Sequence, residues 1–122
     1  MALFSFRTRS PERDRETDAL RFQRLGQLMR HLRTEMQNER DGLQSRYENV
    51  AASAAFSQEA LENGRGGADM SSRIDELTGS MLRYSRRIAS LDSQIAFIAG
   101  LEEDVAAFGH GLSTVRPLQL SE

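Results

Sequence analysis

From Phe22 onward, apolar residues recur every three or four positions through the first half of the chain: Phe22, Leu25, Met29, Leu32, Met36, Leu43, Tyr47, Val50, Ala54 and Leu61. At 3.6 residues per turn they fall within about 80° of one another, which is the single stripe of an amphipathic helix. The stripe has one gap after Met36 and one before Leu61. Leu25, Met36 and Tyr47 recur at eleven, as do Leu32, Leu43 and Ala54. An eleven-residue repeat keeps a stripe nearly straight along an α-helix. Ser10-Pro11-Glu12 supplies a start, because Ser caps, Pro suits the first helical position, and the acids Glu12, Asp14 and Glu16 suit the positive end of the helix dipole. The pattern therefore predicts one helix over 11–62, about 75 Å long at 1.5 Å per residue.

The stripe stops at Asn63-Gly64-Arg65-Gly66-Gly67-Ala68-Asp69. Asn63 and Gly64 are both able to take the left-handed conformation that ends a helix. The glycines do not form a phosphate loop, which needs a preceding strand and a Gly-Lys-Ser/Thr ending. They read as a helix–helix connector over 63–70. Ser72 with Asp75 three residues on resembles a capping box, so a second helix is expected over 71–108, closed by Gly109. Its pattern is a heptad series: Ile74, Leu77, Met81, Tyr84, Ile88, Leu91, Ile95, Ile98 and Val105 alternate spacings of three and four, interrupted only by Glu102. Sustained heptads mark a seam that packs against another helix. Towards the end Phe97, Leu101 and Phe108 add a second apolar line, more than one seam covers.

A short connector between long helices folds them antiparallel. The expected fold class is all-α: a long antiparallel two-helix hairpin of coiled-coil type, assembling into a four-helix bundle as a homodimer. If Leu61 faces Ile74, facing residue numbers sum to about 135 in an antiparallel pair. That register sets Glu62 near Arg73, Glu48 near Arg87, and Arg30 and Arg33 near Glu102-Glu103-Asp104. It also leaves 11–25 beyond the end of the second helix. The apolar residues there, Leu20, Phe22 and Leu25, come close to Phe97, Leu101 and Phe108, with Arg21 and Arg24 beside them as forks for carboxylates. These eight residues form the candidate partner-binding site. One seam between two helices seldom outweighs the conformational entropy of ordering them, so self-association is expected.

Composition narrows the chemistry. There is no Cys, hence no disulfide framework and no cysteine-ligated metal. The two His, His31 and His110, stand in no His-Glu-x-x-His or Glu-x-x-His pattern, and no Ser sits in a Gly-x-Ser-x-Gly elbow. No catalytic residue, cofactor site or metal site is assigned. All 16 basic residues are Arg, which with the Ala richness suggests a GC-rich bacterial genome. Met1–Arg46 carries 10 Arg against 7 acids and the remainder 6 against 11, an opposition of sign that suits a chain folded back on itself. The Arg residues spread around the first helix rather than forming one stripe, so nucleic-acid binding is the alternative rather than the leading reading. No apolar run approaches the roughly 20 residues of a membrane span. Ala2-Leu3-Phe4-Ser5-Phe6 is too short for a signal-peptide core, and a cytoplasmic location is expected. Residues 1–10 read as a disordered arm, with Phe4 and Phe6 as optional docking anchors, and 109–122 as an extended or disordered tail. No family resemblance emerges. The sequence points to a non-enzymatic adaptor, scaffold or export-type chaperone working through helix–helix contacts.

Overall fold

A computed structural model of the chain describes residues 10–114. It consists of two helices packed against each other as a hairpin. Helix α1 spans Pro11–Glu62 and α2 spans Ala68–Thr114. Ser10 caps α1: its Oγ accepts the Arg13 N–H at 3.3 Å, and its carbonyl accepts the Asp14 N–H at 3.0 Å. Pro11 occupies the next position, where its missing N–H costs nothing.

The end of α1 is a Schellman motif. The Arg65 N–H reaches back to the Ala60 carbonyl at 2.8 Å, and the Gly64 N–H to the Leu61 carbonyl at 3.1 Å. Of the two residues able to take the left-handed conformation, Gly64 takes it, with φ 76°. Gly66 follows at φ 88°, and a Cβ there would lie 2.8 Å from the Met70 Cβ. Two glycines are thus required by the turn itself.

Helix α2 differs from expectation at both ends. It begins at Ala68, because the Gly67 carbonyl already accepts the Ser71 N–H at 3.0 Å. Ser71 and Ser72 therefore lie inside the helix, and Asp69 is the acid of its first turn. At the other end Gly109 does not close the helix, which continues to Thr114. The tail expected over 109–122 is therefore helical at its start. The assignments for the arm at 1–9 and for 115–122 lie outside the described residues.

The described residues fall into two compact units, 10–33 with 97–114, and Thr34–Ala96. In the second, the loop unit, the core sits at Leu91, which is 1% exposed, with Ala60 and the hydroxyl-bearing Ser57 also buried. Two cross-helix ion pairs flank it. Arg40 Nε donates to Asp92 Oδ1 at 2.7 Å, and Arg87 donates through Nε and an Nη to both oxygens of Glu39 at 3.0 and 3.2 Å. The carboxylates of the expected pairs Glu48–Arg87 and Glu62–Arg73 bond elsewhere: Glu48 accepts from Gln44 at 3.1 Å and Glu62 from Gln58 at 3.3 Å, each one turn earlier on its own helix. Arg87 accordingly pairs with Glu39, and not with Glu48. Paired residue numbers sum to 132 and 126 here, below the uniform 135 of the expected register.

Candidate protein-contact site

The first unit, here the terminal unit, contains every residue of the candidate contact site. Its seam is centred on Met29, the one buried large apolar side chain among its described residues. One turn on, Arg33 forks onto Glu102, with Nε and an Nη donating to the two carboxylate oxygens, the latter at 3.2 Å. The residue numbers of this pair sum to 135, the expected register. The hydrogen bonds from Arg33 hold the Glu102 carboxyl below its ordinary range, the positive charges of Arg33 and Arg30 add to this, and partial burial opposes it. Glu102 is thus the apparent break in the α2 heptads, and its seam position is occupied by a paired charge.

Beyond that pair, Phe22 packs its ring against Phe108, centroids 5.0 Å apart and planes tilted by 58°. Tilted pairs of this kind satisfy the quadrupoles of both rings. The approach depends on Gly109, where an added Cβ would come within 3.3 Å of the Phe22 Cβ. Val105, Gly109 and Leu112 continue the three–four spacing, and all three are partly covered. The expected uncovered overhang of α1 is therefore corrected. Phe22 has a partner in Phe108 and belongs to the seam, and α2 itself runs on through Gly109 to Thr114.

The eight candidate residues do not form one patch. Phe22 is in the seam and also borders a groove of about 570 Å³ on one flank, which Leu20 lines along with Ala19, Gly26, Arg30, Ala106, Gly109 and His110. Leu25, Phe97, Leu101 and Phe108 are absent from that groove. Leu25, Phe97 and Phe108 are exposed, and Leu101 is half-covered. Arg24 is exposed, and Arg21 reaches its own helix neighbour Asp18 at 3.3 Å. Sequence reasoning missed Leu28, 54% exposed, because it stands off the stripe. His31 and His110 are both exposed, and among the described residues no group of three or more His, Cys, Asp or Glu could hold a metal ion. No helix among the described residues is long and apolar enough to cross a membrane.

Comparison with protein-family models, with curated proteins and with solved structures finds no match for this chain.

Proposed function

We propose that this protein is a non-enzymatic helical-hairpin scaffold or adaptor, of the kind that includes export-type chaperones, and that it acts through helix-to-helix protein contacts as a homodimeric four-helix bundle. The observation that carries the reading is a mismatch between length and core. Helices of 52 and 47 residues bury only Met29, Ala60 and Leu91 among apolar side chains of the described residues. A domain normally derives its stability from one contiguous apolar core, and a second pair of helices would supply it. Three of the 16 Arg residues, Arg33, Arg40 and Arg87, are committed to carboxylates across the hairpin, which subtracts them from the cations available to a nucleic acid. Counter-ion release from phosphates needs free cations.

Sedimentation equilibrium of the full chain, alone and with duplex DNA at low and moderate salt, tests the proposal. The expected result is a particle of twice the 13.7 kDa chain mass, indifferent to DNA. A monomer that binds DNA in a steeply salt-dependent way would replace this reading with the nucleic-acid one.

A further inference from the structure

The terminal unit has two unlike flanks. Relative to Met29, the α1 positions of Ala19, Gly26 and Arg30 lie about 60–100° to one side, and Leu25 and Leu28 about 40–100° to the other, at 100° per residue. Relative to Val105 on α2, Ala106, Gly109 and Ser113 lie about 40–100° to one side, and Phe97, Leu101 and Phe108 about 40–80° to the other. Ala19, Gly26, Arg30, Ala106, Gly109 and Ser113 line one groove, so they share a flank. Leu25, Leu28, Phe97, Leu101 and Phe108 consequently share the opposite one.

We infer that this second flank is covered by the same flank of a second copy of the chain, in a two-fold contact. The inference rests on the self-association proposed above and adds the face that makes it. Among the described residues, seven large apolar side chains are exposed, and four of them, Leu25, Leu28, Phe97 and Phe108, stand on this one flank. With Phe97 and Phe108 65% and 58% exposed, the four leave on the order of 400 Å² of side chain uncovered. That is about half of the roughly 800 Å² per partner that a standard stable interface buries, and Leu101 and the stems of the neighbouring polar residues lie beside it. The rim suits a copy of itself. Arg21 and Arg24 from α1 and Asp104 from α2 stand on this side, at about 80°, 140° and 100° from their seams, and Arg21 is paired with Asp18, so the face carries both signs and offers a copy of itself opposite charges to pair with. The need is also permanent, because among the described residues of this unit Met29 alone is buried. A second copy is present whenever the chain is. The groove on the other flank, floored by Gly26, Ala106 and Gly109, stays open in such a dimer.

The chain's dimerisation constant, measured by sedimentation equilibrium across four variants, tests the placement. Leu28→Asp with Phe97→Asp puts charges on two exposed positions and should weaken the dimer at least about a hundredfold. The milder pair Leu28→Ala with Phe97→Ala should keep its helix content by circular dichroism and weaken the dimer by about tenfold or more. Phe56→Asp, at a side chain 68% exposed in the loop unit, and Ala106→Arg, in the groove, should leave the constant unchanged. A wild-type dimer indifferent to both flank variants overturns this placement alone. So does a dimer lost in Ala106→Arg, or a mass that grows past two chains, either of which makes the contact groove-mediated and head-to-tail. A wild-type monomer overturns both this inference and the self-association beneath it.

Discussion

Leu91 is the one side chain among the described residues that is fully buried, at 1% exposure, and Leu91→Ala is the sharpest probe of where the hairpin is held together. The change removes three carbons, and at about 0.8 kcal/mol per buried methylene the lost transfer free energy is roughly 2.4 kcal/mol. Deep cores add a cavity penalty that raises Leu→Ala to as much as about 5 kcal/mol. A seam between two helices is bordered by half-covered residues such as Ile88 and Ile95, which can close over the gap, so the cost should stay near the transfer value, about 2–3 kcal/mol per chain. Against a total of roughly 5–15 kcal/mol that is a large share, and it should lower the melting temperature by about 10 °C or more. Phe56→Ala removes a larger side chain, but one that is 68% exposed, and should stay within about 0.5 kcal/mol of wild type. Urea unfolding followed by far-ultraviolet circular dichroism reads both, with unchanged slopes showing that only stability has moved. A cost below about 1 kcal/mol for Leu91→Ala, or one smaller than that of Phe56→Ala, would refute the assignment of the buried face.

Ile88→Asp should unfold or dissociate the protein, because it sets an unpaired charge in the seam, whereas Ser93→Asp on the exposed side should be tolerated; equal melting curves for the two would contradict the seam. Glu102 gives a pH signature. Its folded-state carboxyl lies below the ordinary value, so its contribution is complete above the unfolded Glu value of about 4.3 and is lost as pH falls through the lower folded value. Wild type should therefore exceed Glu102→Gln in melting temperature at neutral pH, with the two curves converging in acid; curves that stay parallel down to low pH would remove the Arg33–Glu102 pair from the stability of the fold.

The apolar spacing made the two helices and their packing as a hairpin legible, because burial of a helical stripe is the strongest signal a sequence carries. Its blind spots were polar. The gap after Met36 is filled by Arg40, half-buried and bonded to Asp92, and the gap before Leu61 by Ser57, which is buried. Neither residue type announces itself as seam-forming. Gly109 misled for a related reason. Glycine commonly ends helices, yet here its lack of a side chain makes room for Phe22 inside one. The ion-pair register was legible where Arg33 meets Glu102, and failed at Arg87. There the number of carboxylates within reach of a long guanidinium side chain exceeds what spacing arithmetic can choose among, and Glu48 is bonded to Gln44. The candidate contact residues all fall in one unit, but one-dimensional spacing did not show that Leu20 and Phe97 stand on different flanks.

The claim that these two helices are half of a larger bundle is tested most directly by the melting temperature of the full chain, read by circular dichroism over about a hundredfold range of concentration. If a second copy completes the core, unfolding is coupled to dissociation and the melting temperature must rise steadily with concentration. A cooperative transition whose midpoint is the same at every concentration, from a particle of one chain mass, would show that the hairpin is stable alone and would contradict the account.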